Sequence, residues 1–285
     1  MPAQLTALVL IENTAADGLL SEHGLSIHLS YRQPNGRALR LLLDFGQTGA
    51  FARNASTLGV DLAQVDMAVL SHAHYDHADG MDVFFATNTQ APLYLSEACA
   101  EDCWSTKGGT AEAHYIGIRP GMLASHRGRL VPVPTDRMTT IADGIHLVPH
   151  TTPGLAKLGM RAGMLRRACD EWVADDFAHE LTLVLELDGG RLAVFSSCSH
   201  AGLPTIIDEV AEVFPSWHVA AYVGGLHLVH ANDEEVLAVS EAAHSAGVDR
   251  LYTGHCTGSH AYGLLAAELP DCLTQLHPGL ALRLG

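Results

Sequence analysis

The sequence predicts a mixed α/β fold, and three observations carry that prediction. Of the 285 residues, 48 % are hydrophobic and 17 % charged, which supplies a sizeable core and excludes global disorder. Mean hydropathy is +0.14, yet no apolar run approaches the ~18 residues of a membrane span. Apolar runs of strand length come first along the chain, and strands then alternate with helical patterns.

The elements follow in order. Leu5–Ile11 is a compact apolar strand. Leu25–Tyr31 and Ala38–Leu43 flank Gln33-Pro34-Asn35-Gly36, a turn cluster that predicts a β-hairpin. Thr48 caps a helix that ends near Gly59, where a glycine suits the position after the last turn. Met67–Leu70 and Pro92–Leu95 are short buried strands. Leu181–Leu187 and Leu192–Ser196, joined through Gly189-Gly190, make a second hairpin, and Val219–Val223 and Leu251–Thr253 are further buried strands. A helix begins at Asn232 or Asp233, carries Val236, Leu237, Ser240 and Ala243 on one face, and stops at Gly247. The tail Leu276–Leu284 adds an edge strand. From about residue 99 to 179 the periodicity weakens, and the stretch reads either as an insert over a site or as irregular strands packed on the core. Arg119, Met160, Met164, Arg166, Arg167 and Trp172 gather there.

Charge narrows the partners. Lys+Arg number 16 against 32 Asp+Glu, for a net charge of −16, and the lysines are Lys107 and Lys157 alone. A basic face for nucleic acid is lacking, and an anionic membrane surface would repel the chain. A small molecule in a local pocket is the expected partner. The N-terminus carries no basic region ahead of its apolar run, so the expected address is the cytoplasm. Six cysteines (Cys99, Cys103, Cys169, Cys198, Cys256, Cys272) are expected as reduced thiols. Cys99 and Cys103 would share a helical face as ordinary buried or half-buried thiols, with a structural zinc as the lesser alternative.

The chemistry is concentrated after the strand Met67–Leu70, in Ser71-His72-Ala73-His74-Tyr75-Asp76-His77-Ala78-Asp79-Gly80. His72 and His74, two apart in extended chain, point the same way. Asp76 and His77 follow as the chain turns into a helix and face the same cavity. Imidazole and carboxylate suit Zn²⁺, Mn²⁺ or Fe²⁺. Further histidines end other strands: His200 in Ser-Ser-Cys-Ser-His, His227 in Gly-Gly-Leu-His, and His255 in Thr-Gly-His-Cys-Thr-Gly. Asp44 ends the strand Ala38–Leu43 and is placed to orient a ligand histidine. Cys198 and Cys256 lie beside presumed ligands, from which their side chains should point away as buried spectators. Met160, Met164 and Trp172 form either a wall for a flat substrate or core packing.

The His72-x-His74-x-Asp76-His77 pattern, followed by His200 and His255 and preceded by Asp44, resembles the metallo-β-lactamase superfamily over nearly the whole chain. The finer stretches HAHYDHADG, WVADDFAHE, SSCSHAG, GGLHL and YTGHCTG are similar to the branch of 7,8-dihydropterin-6-methyl-4-(β-D-ribofuranosyl)aminobenzene-5′-phosphate synthase-like metal-dependent hydrolases. The resemblance implies a single domain over residues 1–285, an αβ/βα sandwich of two mixed sheets with helices outside and an irregular insert at about 99–179 covering the site. It implies that His72, His74 and His200 hold a first metal, and that Asp76, His77 and His255 hold a second, as one or two zinc ions, with Mn²⁺ or Fe²⁺ as alternatives.

One departure matters. Many members place a metal-bridging aspartate after the strand corresponding to Val219–Val223, where this chain reads Gly224-Gly225-Leu226-His227. Either the second site is partly filled or His227 serves the substrate, and the second reading is preferred to the first. A hydrogen-bonded core histidine is the plain alternative.

The implied activity is hydrolysis of a small phosphoester, ester or lactone by a metal-bound hydroxide, with Asp76 handling protons, His227 donating to a substrate oxygen and Arg119, Arg166 or Arg167 pairing with a phosphate. The rivals are a synthase-like transferase on the same site and a non-catalytic pterin or nucleotide sensor. A flavodiiron-type redox role is disfavoured because that motif has a glutamate where this chain has His74. The implied substrate is anionic or pterin-like, and the apolar insert offers a lid or a homodimer face.

Overall fold

The apolar runs pair into strands at the places their alternation predicts. The structure is a computed structural model describing residues 4–106, 112–168 and 171–285, so Lys107 and Cys169 lie outside the described residues. Among the described residues the first seven-stranded sheet runs, in spatial order, Ala281–Leu284, Gln4–Ile11, Ser26–Arg32, Ala38–Leu43, Met67–Val69, Leu93–Ser96 and Leu130–Val133. The second seven-stranded sheet runs Leu273–Gln275, Leu251–Thr253, His218–Val223, Arg191–Phe195, Leu181–Leu187, Ile145–Pro149 and Thr139–Ala142. Both expected hairpins are antiparallel pairs, Ile27 opposite Leu43 and Leu183 opposite Phe195. The tail strand pairs antiparallel with the first strand, Leu5 opposite Leu284, and forms the edge.

The sheets face each other across one apolar layer. Val9, Ile27, Leu29, Leu41 and Val69 from the first meet Leu147, Leu183, Leu185, Phe195 and Val223 from the second, all essentially without solvent contact. Continuous apolar strands need both faces covered, and helices do this on the outside. Phe51, Met81 and Phe84 from the helices Ala50–Thr57 and Met81–Thr87 pack on Leu42, Ala68 and Leu93. Leu203, Ile206, Val236 and Leu265, from the helices Leu203–Val213, Asp233–Ser245 and Ser259–Glu268, cover Val194, Tyr222 and Leu251. The result is the αβ/βα sandwich that the resemblance implied. No helix among the described residues is long and apolar enough to cross a membrane.

Several expectations need correction. Asn232 caps the helix Asp233–Ser245 in a reciprocal capping box with Glu235, but Leu237 lies exposed because only Val236, Ser240 and Ala243 fall on its buried stripe. Cys103 opens a strand, Cys103–Ser105, so Cys99 and Cys103 share no helix. Of the two readings of 99–179, strands packed on the core describe part of the stretch. Leu130–Val133 completes the first sheet and Thr139–Pro149 supplies two strands to the second. A separate four-stranded sheet remains, in the order Glu171–Ala174, Met164–Ala168, Cys103–Ser105 and His114–Tyr115. Its strands are too short and too polar to read as a sheet from periodicity.

His28 shows how the fold responds to acid. It lies buried on the first sheet with Nε2 unpartnered, and burial, aided by Arg40, pushes its pKa down to about 4. In the folded state the ring stays neutral until pH falls below that value, while the unfolded ring charges at about 6.5. The contribution to stability is therefore intact above pH 6.5 and lost as pH falls toward 4, by at most about 3 kcal/mol. His28→Gln is expected to flatten this acid limb, narrowing the difference in unfolding free energy between pH 7 and 4.5 measured by urea titration.

Candidate metal centre

Every chemistry-bearing loop leaves the C-terminal end of a strand. Asp44 follows Ala38–Leu43, and Ser71–His77 follows the parallel strand Met67–Val69 and enters the short helix Tyr75–Ala78. Cys198 and His200, then Gly224–His227, then His255 follow the mutually parallel strands Arg191–Phe195, His218–Val223 and Leu251–Thr253. Parallel strands deliver these ends to one rim of the sandwich, the usual place for sites in open α/β sheets. The rim is strained: Asp44, Ser199, His227 and His255 have φ of 59°, 53°, 50° and 50°. Left-handed backbone outside glycine costs on the order of 1–3 kcal/mol per residue and persists where the surroundings enforce it.

His72, His74 and His200 converge, with one ligand atom from each within 4.8 Å of the others. Nε2 of His72, Nε2 of His74 and both ring nitrogens of His200 are buried without a hydrogen-bond partner. Burial, reinforced by mutual repulsion, drops the His74 pKa to about 3 and holds His72 and His200 well below the ordinary imidazole value. Three neutral, unpartnered imidazoles are costly as an apolar cluster and are the form a metal requires. Ser71 fixes the tautomer of His72. Its hydroxyl donates to Asp44 Oδ2 at 2.7 Å, so it accepts from His72 Nδ1 at 2.8 Å and leaves Nε2 facing the cluster.

Asp76, His77 and His255 form the adjoining cluster. His77 Nε2 lies 3.0 Å from His255 Nε2 and 3.4 Å from Asp76 Oδ2, and His255 Nε2 lies 3.2 Å from the same oxygen. The outer nitrogens are committed elsewhere: His77 Nδ1 donates to Asp44 Oδ2 at 2.7 Å and His255 Nδ1 to Asn13 Oδ1 at 2.8 Å. Two inward-facing imidazole lone pairs at 3.0 Å demand a shared cation. Without a metal a proton fills the role: burial alone would lower His77, but Asp76 and Asp44 raise it to about 10. Burial alone would raise Asp76, but His77 and His255 hold it well below the carboxylate range. The donor set of both clusters fits borderline divalent metals such as zinc.

The supports around these clusters include residues that spacing did not flag. The stretch WVADDFAHE supplies four. His179 Nδ1 accepts from the Ala73 N–H at 3.2 Å, between His72 and His74, while its Nε2 donates to buried Asp175 at 3.0 Å. Phe177 stacks on the His200 ring at 4.9 Å and 12°. Glu180 accepts from the His200 and Ala201 N–H groups at 2.9 and 3.0 Å. Glu12 accepts from the His255 N–H. The signal in the sequence was the D-x-F-x-H alternation of 175, 177 and 179, and the polar pair Glu12-Asn13 after an apolar strand. Exposed His23, with Nε2 3.4 Å from Asp76 Oδ2, carried no such signal.

A cleft of about 490 Å³ opens beside the first cluster, lined among others by Phe177, His200, Leu203, His227, His230 and Arg161. His227 sits with its ring 4.5 Å from that of His200 and a buried, unpartnered Nδ1. The arginines singled out in the sequence are committed elsewhere: Arg119 to Asp82, Arg166 to Asp102, and Arg167 over the Trp172 ring at 4.7 Å. Arg161, paired with Glu235, is the arginine at the cleft. Met160 and Trp172 are exposed and do not line the cleft, whereas Met164 is core. Cys198 does not turn away: its Sγ lies 3.2 Å from His77 Nε2.

Comparison with known proteins agrees with this geometry. The family model of the metallo-beta-lactamase superfamily matches residues 35–162. A curated relative from Methanocaldococcus jannaschii, named 7,8-dihydropterin-6-methyl-4-(beta-D-ribofuranosyl)-aminobenzene-5′-phosphate synthase, is 26 % identical over 91 % of this chain and 89 % of its own. A solved structure described as a metal-dependent hydrolase of the beta-lactamase superfamily superposes with a TM-score of 0.79 at 25 % identity, covering 98 % of both chains. A diphosphatase of the PhnP family shares the fold at a TM-score of 0.52 and 15 % identity, over 99 % of this chain and 98 % of that one. In its histidine–aspartate motif, its sandwich and these matches together, the chain is similar to proteins of the metallo-β-lactamase superfamily.

Proposed function

We propose that the chain is a metal-dependent hydrolase of a small anionic phosphoester or related ester, with His72, His74 and His200 holding one divalent ion and Asp76, His77 and His255 a second. The observation that carries the reading is the convergence of unpartnered, neutral imidazole nitrogens beside an accessible cleft. A divalent metal held there would supply Lewis-acid polarisation of the scissile group and activation of water near neutral pH.

The chain's own residues do the rest. The Asp44–Ser71 and Asp44–His77 hydrogen bonds hold the ring orientations of His72 and His77 before substrate arrives. Asp76, kept ionised by its two histidine neighbours, offers Oδ2 as a charged acceptor. His227, aimed by its left-handed backbone and by its N–H donating to Cys256 Sγ at 3.3 Å, presents Nδ1 to a substrate oxygen. Arg161 at the cleft attracts the anionic end of the substrate. The apolar side of the cleft, Leu203 and Phe177, excludes water from one flank.

A second reading has one specific support, the synthase name of the M. jannaschii relative. In that reading the same site transfers a phosphoribosyl group to a pterin-like or arylamine acceptor instead of to water. The test of the first reading is turnover of a chromogenic phosphodiester and of a lactone. The double substitution His72→Ala, His74→Ala is expected to abolish both activities while leaving the fold, by circular dichroism, in place. Unaltered hydrolysis in that variant refutes the assignment. Product analysis with and without an arylamine separates hydrolysis from transfer.

A further inference from the structure

We propose that Cys198 is itself a metal ligand, a thiolate that joins the two histidine clusters in place of the carboxylate this chain lacks after the strand His218–Val223. The inference rests on the metal reading above and adds a residue to it. Cys198 is buried in the turn after Arg191–Phe195, two residues ahead of His200. Its Sγ and one ligand atom each of His72 and His77 lie within 4.8 Å of one another, and so do its Sγ and ligand atoms of His255 and Cys256. One sulfur therefore reaches a histidine of the first cluster and two of the second.

Sterics explain why no carboxylate occupies this place. A Cβ at Gly224 would lie 1.8 Å from the Ser196 carbonyl oxygen, and Gly224 already has φ of 142°. A Cβ at Gly225 would lie 2.4 Å from Cys256 Sγ and 2.9 Å from the Ser197 oxygen. Neither position can carry an aspartate on this backbone. The close approach has a cause: Ser196 N–H donates to the Val223 oxygen at 3.0 Å and Gly225 N–H to the Ser197 oxygen at 2.8 Å, which draws the 196–198 turn against the glycines. Glycine at 224 and 225 thus admits the turn that places Cys198 in the centre.

A thiolate is a strong zinc ligand, and its several lone pairs permit it to touch two ions. Binding releases the S–H proton to solvent, with no redox change at sulfur. A soft donor in an otherwise imidazole and carboxylate set biases the centre toward zinc or cobalt over manganese or magnesium. Cys256 is the competing thiol, since its Sγ also lies within 4.8 Å of Cys198 Sγ and a His255 nitrogen, but that sulfur accepts from the His227 N–H and is turned toward the Cys198 carbonyl oxygen at 3.7 Å. It is assigned a supporting place.

The test is cobalt reconstitution of the full chain, reading bound cobalt per chain together with the near-ultraviolet thiolate-to-cobalt charge-transfer band. The wild type should show the band. Cys198→Ser should lose it and bind the second equivalent about tenfold or more weakly, whereas Cys256→Ser should keep both band and stoichiometry. Cys198→Asp, which returns a carboxylate to this place, should hold two equivalents without the band, and it covers the case in which the serine variant fails to fold. Two bound equivalents with no thiolate band in the wild type would overturn the proposal and leave the binuclear hydrolase reading standing. A band that disappears with Cys256 instead of Cys198 would do the same. A wild type that binds no cobalt would overturn both.

Discussion

Replacing Asp44 by alanine is expected to cost the centre its metal and the protein much of its stability. The Asp44 side chain is fully buried and accepts three hydrogen bonds, from the Ser71 N–H, the Ser71 hydroxyl and His77 Nδ1, each at 2.7 Å. Truncation leaves those donors buried without a partner, at roughly 1–3 kcal/mol each before relaxation. Alanine also tolerates φ of 59° less well than aspartate. Both clusters feel the change, because Ser71 orients His72 while His77 contacts Asp44 directly. Removing such an orienting partner typically lowers metal affinity 10–100-fold. Asp44→Asn separates the two effects: asparagine suits the backbone, but its amide NH₂ faces a donor. It should recover much of the stability and little of the metal binding, as read by thermal unfolding and by competition with a chromogenic chelator.

The second large effect is expected at His179. Its ring bridges the Asp175 carboxylate and the Ala73 N–H, and both His179 and Asp175 are shut off from solvent. His179→Leu would strand a buried carboxylate and a buried amide donor, a loss of about 3–5 kcal/mol. Coupling between the two substitutions distinguishes this from general core damage. Asp175→Asn combined with His179→Leu removes the uncompensated charge and should be more stable than His179→Leu alone, measured by guanidinium unfolding of the four members of the cycle. Metal loss should follow in the two variants that carry His179→Leu, since the backbone between His72 and His74 is no longer anchored.

The sandwich was legible because its strands are buried on both faces. Leu41-Leu42-Leu43, Met67–Leu70 and Val219–Val223 are continuous apolar runs, and the Gly189-Gly190 and Pro34-Asn35-Gly36 turns mark the hairpins. The six candidate ligand positions, His72, His74, Asp76, His77, His200 and His255, stood out for a related reason: each follows the C-terminal end of such a strand. What failed to show was mostly support and orientation. Strands as short as Cys103–Ser105 and Glu171–Ala174 have too few turns of their pattern to register. Glu12, Asn13, Asp175 and Glu180 act through backbone amides or ring nitrogens far away in sequence, and local spacing holds no record of those pairings. The direction of Cys198 was misread because extended-chain alternation does not hold through the turn at 196–200, where Ser199 has a left-handed backbone.

The central claim is a two-ion centre built from six side chains. Its most direct test is metal content per chain, by elemental analysis of protein purified without chelator, on the wild type and on His255→Ala. The account predicts two divalent ions in the wild type and one in the variant, because His255 Nε2 faces Asp76 and His77 but takes no part in the His72–His74–His200 group. A single ion in the wild type, unchanged by the substitution, would contradict it.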